Sequence, residues 1–320
     1  MLPKRDIDAW VHRLEHIQRV QPGTLSQYRD VAYGFFTWCA TNHPQLKDWG
    51  QIDGPIIEGF ISRPRKRAAA PSAATMQRDR VIVGVLWKHL VHQGATTGDP
   101  FYDLPAIKVR NRQPKAIRDD LWSQLWSTQS IPMEDRVWLG LGFFIGLRRI
   151  EIISVAPSQF DTQRQLIFGL VRKGGGDDTV EYGEMARVIG DRLPHLLPDC
   201  DGWLDDVERL VGRRRGERVL FTDDTPTTQA TRQRCSITDP LVPSPHAVNR
   251  QLARMLKLAG MPERAFSPHA LRHSCATNLL RAGVPLDVVA DCLGHHDPKV
   301  TMRYAKSAGR LAELRSGFAH

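Results

Sequence analysis

Apolar positions recur at three- and four-residue steps along most of this chain, and only one stretch breaks that rhythm. Behind Pro22-Gly23, with Thr24 as the expected N-cap, Leu25, Tyr28, Ala32, Phe35 and Cys39 predict an amphipathic helix. Met76, Val81, Ile82, Val85, Leu86 and Leu90 predict a second, ending near Gly94. A third is expected from Asp119-Asp120, whose carboxylates suit a helix N-terminus, with Leu121, Trp122, Leu125 and Trp126 behind them. The run Val137 to Leu147 is too short to span a bilayer and is bracketed by Arg136 and Arg148, so it reads as a core helix. Between Gln165 and Val188 the period shortens. Leu166, Phe168 and Leu170 alternate, Gly174-Gly-Gly-Asp-Asp178 predicts a turn, and Thr179, Val180 and Tyr182 resume with strand-favouring residues. Residues 199–245 mix one expected helix with loops.

Charge adds an expected partner. The formal net charge is +9, and residues 1–115 hold 17 Lys and Arg against 10 Asp and Glu. Such an excess favours a polyanion. The cluster Arg63-Pro-Arg-Lys-Arg67 reads either as a solvated loop or as one that contacts phosphates. Lys108-Val-Arg-Asn-Arg-Gln-Pro-Lys115 has no apolar period and carries a proline, as an interdomain linker does. Arg65, Lys66, Arg67, Lys108, Arg110, Arg112 and Lys115 are the candidate nucleic-acid contacts. Five scattered cysteines without a Cys-x-x-Cys pair suggest neither a disulfide framework nor a zinc site. With no apolar segment behind the charged N-terminus, a cytoplasmic location is expected.

Four separated segments hold the candidate chemistry: Gly146-Leu-Arg-Arg-Ile-Glu151, Arg172-Lys-Gly-Gly175, Ser267-Pro-His-Ala-Leu-Arg-His273, and Leu293-Gly-His295 followed nine positions later by Tyr304. On a helix, His269, Arg272 and His273 share one face. Leu271, Ala276, Leu279 and Leu280 make that helix partly buried, and buried cations need an anionic partner. A zinc site built from His269, His273, His295, His296 and Asp297 is the chemical rival. A zinc peptidase motif, however, requires Glu directly after the first His, and position 270 is Ala.

Together these segments resemble the tyrosine recombinase (phage integrase) family. Its marks are a Gly-Leu-Arg-x-x-Glu box, a lysine on a hairpin turn, a His-x-Leu-Arg-His box, and Leu-Gly-His followed nine residues on by a tyrosine nucleophile. The resemblance covers about residues 118–306. It implies that Tyr304, Arg148, Arg272, His269, His295 and Lys173 form the catalytic set, with Glu151 and His273 in support. It also implies a mainly α fold with a small β-hairpin or sheet (α+β): a helical N-terminal core-binding domain over 1–107, a basic linker over 108–117, and a catalytic domain over 118–320.

The activity implied is site-specific cleavage and rejoining of duplex DNA through a 3′-phosphotyrosine, with no metal, ATP or cofactor, by a homo-tetramer on two synapsed sites. Guanidinium forks suit the charge that develops on non-bridging phosphate oxygens. A phenol with a pKa of about 10 needs a base, for which His269 is the candidate. His295 is expected to donate to the phosphate, and Lys173 to protonate the leaving 5′ oxygen. Residues 310–320, with Leu311, Leu314 and Phe318 at helical steps, are expected to dock on a neighbouring protomer or on their own domain. A DNA-binding protein without catalysis and a supercoil-relaxing enzyme of type IB chemistry remain alternatives to strand exchange.

Overall fold

In the computed structural model of the chain, residues 2–65, 70–109, 115–171, 177–222, 242–243, 245–295, 301, 302 and 304 are described. They belong to two compact units divided between residues 112 and 113.

The first unit is helical: α1 (Lys4–His12) runs into a wider π-type turn (Arg13–Ile17), followed by α2 (Pro22–Asn42), α3 (Gly54–Ser62) and α4 (Ala73–His92). Helix α2 starts at Pro22, ahead of the expected Thr24 cap, with Gln21 before it. Proline suits a first helical position because its fixed φ is already helical and the missing N–H would have had no partner there. Helices α3 and α4 have side-chain caps, the Asp53 carboxylate accepting from the Ile56 amide and the Ser72 hydroxyl from the Thr75 amide. Trp10, Phe35, Trp49, Ile57, Phe60, Leu86 and Leu90 form the core. The stripe on α4 is narrower than its apolar sequence, since Ile82, Leu86 and Leu90 are buried while Val81 is exposed.

The second unit holds α5 (Asp119–Trp126), α6 (Met133–Phe143), α7 (Arg149–Ser154), strands β1 (Phe160–Asp161), β2 (Leu166–Val171) and β3 (Asp177–Glu181), then α8 (Tyr182–Arg192), α9 (Cys200–Arg213), α10 (Pro245–Leu258), α11 (Pro268–Arg281) and α12 (Leu286–Cys292). Thr301, Met302 and Tyr304 are helical beyond it. Helix α6 is buried from Val137 to Phe143 and packs against α11. The Trp122 ring stacks on Phe143 with centroids 3.5 Å apart, and its indole N–H donates to the Leu196 carbonyl. The buried Asp135 carboxylate accepts from Arg254 on α10, so the buried charge of α6 is paired.

The sheet is antiparallel in the order β1-β2-β3. Ile167 pairs with Val180 and Leu170 with Asp178, and the register shifts between them. Gly169 lies there at φ +64°, which a glycine tolerates, and the resulting bulge changes which side chains face inward. Ile167, Leu170 and Val180 are buried and Phe168 is exposed, so simple alternation does not hold across the bulge. Tyr182 opens α8 and does not extend β3. The fold is mainly α with a small sheet, as expected. Among the described residues no helix is long and apolar enough to cross a membrane.

Candidate active site

The site is built where the end of α6, the N-terminus of α7, one face of α11 and the turn after α12 meet. Gly146 makes the first corner. Its φ is +71°, and a Cβ there would lie 2.4 Å from Leu293 Cδ2 and 3.0 Å from Cys275 Sγ. Only a residue without a side chain lets the backbone pass so close to α11. Two residues on, Arg148 occupies the N-cap position of α7, and Glu151 in the first turn reaches back to it. One carboxylate oxygen of Glu151 accepts from the Arg148 amide and the other from Arg148 Nη1, each at 2.7 Å. Glu151 is 3% exposed, so this charge is held in a dry setting. Arg148 Nη2 donates to the Gly294 carbonyl at 3.3 Å.

Helix α11 brings His269, Arg272 and His273 to one face, as their spacing predicts. Arg272 is buried, and its guanidinium is fixed by two backbone carbonyls: Nη1 donates to Gly146 O at 2.5 Å and Nη2 to Leu293 O. Nη2 also lies 3.0 Å from His295 Nε2. An arginine only donates, so Nε2 of His295 is the acceptor. Its Nδ1 then carries the proton toward Thr301 Oγ1, 2.8 Å away. The turn that presents His295 is a Schellman motif in which Gly294, at φ +59°, donates to Asp291 O and the His295 amide to Ala290 O. The expected glycine stop before His295 is therefore present. The guanidiniums of Arg148 and Arg272 both face the carboxylate of Glu151, whose Oε1 is 2.7 Å from Arg148 Nη1 and whose Oε2 is 4.0 Å from Arg272 Nη1.

Tyr304 is buried beside this cluster, its ring nearly parallel to that of His295 at 6.2 Å. Its hydroxyl lies 2.9 Å from Nδ1 of His273. The His273 ring in turn meets His269 edge to face, centroids 4.4 Å apart. Burial, with His269 and Arg272 nearby, pushes His273 down to about 4. Partial burial, followed by the charges of Arg272, Arg148 and Arg149, also lowers the pKa of His269. Both rings are thus neutral at pH 7 and able to accept a proton. Sequence reasoning gave the tyrosine's proton to His269. The ring at hydrogen-bond distance from Tyr304 is that of His273, whereas His269 is the more exposed of the two.

Five of the six candidate catalytic residues, with Glu151 and His273, therefore come together. Lys173 lies outside the described residues, as do Lys66, Arg67, Arg110, Arg112 and the 310–320 tail. Lys108 and Lys115 are exposed, whereas Arg65 is turned onto the buried carboxylate of Asp79, together with Arg63 and Arg78. Thr301 was missed. No motif marks it, and only its place one turn before Tyr304 could have pointed to it.

The Phage integrase family model matches residues 119–310. Over 314 residues the chain is 27% identical to tyrosine recombinase XerD of Shewanella oneidensis, covering 96% of this chain and 94% of that protein. It is also 27% identical to tyrosine recombinase XerC of Pseudomonas fluorescens over 313 residues, covering 94% and 91%. Among solved structures, a lambda integrase dimer bound to a COC′ core site matches with a TM-score of 0.64 at 14% identity, covering 97% of each chain. The XerH site-specific recombinase bound to its palindromic difH substrate after cleavage matches with a TM-score of 0.61 at 18% identity, covering 93% of this chain and 80% of that one.

Proposed function

This chain belongs to the phage integrase family, and from that membership we propose that it is a site-specific DNA recombinase in which Tyr304 cuts a strand by joining itself to the 3′ phosphate. The observation that carries the reading is the Tyr304 hydroxyl held against a neutral imidazole, beside two guanidiniums that share one carboxylate. Two adjacent guanidinium forks suit a phosphodiester, and they count for more as the phosphate gains charge in the transition state.

Arg148 and Arg272 hold the non-bridging oxygens, and Glu151 fixes the first of these forks. His295 gives the phosphate a further hydrogen bond once its Nε2 is released from Arg272 and the ring proton moves to that nitrogen, Nδ1 then accepting from the Thr301 hydroxyl. The phenolic proton passes to one of the two neutral imidazoles, and Lys173 protonates the departing 5′ oxygen. Attack forms the Tyr304 O–P bond and breaks the P–O5′ bond, leaving a 3′-phosphotyrosine and a 5′ hydroxyl. A 5′ hydroxyl from a second duplex reverses these steps. The bond energy is conserved in the phosphotyrosine, so the scheme needs no ATP.

The substrate is duplex DNA carrying a recombination site, the kind of ligand bound in the XerH and lambda integrase structures. Residues 1–107 and the linker over 108–117 supply further phosphate contacts, and four protomers act on two duplexes. The test is incubation with nicked duplexes bearing candidate sites. A covalent complex that resists denaturant and is absent with Tyr304→Phe is expected. An adduct of normal yield with Tyr304→Phe contradicts the reading.

A further inference from the structure

We propose that His273, not His269, is the base for Tyr304: its Nδ1 takes the phenolic proton as the oxygen attacks phosphorus and returns it when the strand is resealed. The assignment rests on the reading above and decides between its two imidazoles. Geometry carries it. Nδ1 of His273 is already at hydrogen-bond distance from the reacting oxygen, 2.9 Å, and Tyr304 is buried there. With Nδ1 unprotonated the bond runs from O–H to N, so the ground state already lies along the path of proton transfer. His269 is one turn earlier on the same helix face and touches the system through the His273 ring. Its exposed edge remains free to meet the phosphate.

The environment suits a base that works only with substrate bound. Without DNA, burial, with His269 and Arg272 nearby, holds His273 neutral. A phosphodiester brought against Arg148 and Arg272 offsets that positive field and adds negative charge near the ring. Its proton affinity rises at the moment the phenol must ionise. The electron and proton count closes: the O–H proton moves to Nδ1, the phenolic oxygen bonds to phosphorus, and the 5′ oxygen leaves with a proton from the general acid.

His273 also borders a second space. A cavity of about 400 Å³ is lined by it with Lys115, Ile117, Arg118, Phe266 and Ser267. Shortening the side chain to alanine joins the vacated volume to this cavity, which gives a small soluble base a route to the Tyr304 hydroxyl.

The experiment measures adduct formation by the full-length protein in single turnover on nicked duplex, with and without added imidazole. His273→Ala is expected to slow the adduct by roughly 100- to 10,000-fold, the usual span for general base catalysis. Imidazole is expected to restore part of the rate to His273→Ala and none to His269→Ala. His273→Asn, which keeps a polar group near the Nδ1 position and cannot take the proton, is expected to be equally slow while binding DNA normally. A substrate with sulfur at the bridging 5′ position, whose leaving group needs no proton, should leave the His273→Asn defect in place.

A His273→Asn rate within threefold of wild type overturns the assignment, as does full rescue of that variant by the sulfur substrate. Tyr304→Phe in parallel separates the two levels. If it still forms adduct, the recombinase reading falls. If it is inert while His273→Asn is normal, only the base assignment falls.

Discussion

Arg272 is held with its guanidinium buried between the carbonyls of Gly146 and Leu293. Lysine cannot make that fork, so Arg272→Lys leaves buried acceptors unpaired. It should lower stability by about 2–4 kcal/mol, read as a shift in the denaturant midpoint, and reduce the adduct rate more than 100-fold. The histidines make a separate prediction about pH. His273 sits at about 4 in the folded protein, against about 6.5 unfolded. Its contribution to stability is therefore fully present above pH 6.5 and is lost as pH falls from 6.5 through 4. Over that window wild type should lose up to about 3 kcal/mol that His273→Asn does not, measured by unfolding at each pH. At this scale the gathering of the candidate residues was legible, since Arg148, Arg272, His295 and Tyr304 do come together in the fold. The sequence was not legible where tertiary placement decides. His269 and His273 share one helix face, and only the position of Tyr304 distinguishes them. Thr301 and the carbonyl of Gly146 act through geometry that no side-chain pattern encodes.

Two turns hold the elements of the candidate site together, and both depend on left-handed glycines. Gly146 is left-handed and also closely approached by Leu293 and Cys275, whereas Gly216, at φ +86°, has nothing within 4 Å of where a Cβ would be. Gly146→Ala should therefore cost about 2–5 kcal/mol, from backbone strain plus overpacking, and should slow the adduct by displacing the carbonyl that holds Arg272. Gly216→Ala, with strain alone, should cost about 1 kcal/mol and leave the rate unchanged. Chemical denaturation of both variants checks the pair. Elements with a long uniform period were readable: α6 from its apolar run, and α11 from the spacing of His269, Arg272 and Leu279. Helix α3 was missed because Gly54-Pro55 and Gly59 look like punctuation, although Pro55 lies in the first turn and Asp53 caps it. The strand alternation was misleading at one place, since the bulge at Gly169 brings Leu170 to the same buried side as Ile167 and leaves Phe168 exposed.

Across the whole chain, charge is the property that relates most simply to the partner. Residues 1–115 hold most of the +9 excess, and neutralising DNA phosphates releases counterions. Affinity for a duplex should therefore fall by about a factor of 1,000 or more between 50 and 200 mM salt if six or more phosphates are contacted. A shallow salt slope in a binding titration contradicts a backbone-dominated interface. The division into two compact units falls between residues 112 and 113, inside the basic, aperiodic, proline-bearing stretch that separates two apolar-periodic regions of the sequence. The choice of DNA sequence was not legible, since base readout depends on where side chains fall in the grooves. The claim on which the rest depends is that Tyr304 becomes covalently bound to DNA. It is tested most directly by trapping the adduct on nicked duplex, digesting it, and locating the nucleotide by mass spectrometry. The chain has five tyrosines, of which Tyr102 is 85% exposed and Tyr304 is buried. The account predicts the 3′-linked nucleotide on Tyr304 alone; finding it on Tyr102, or on any residue other than Tyr304, contradicts it.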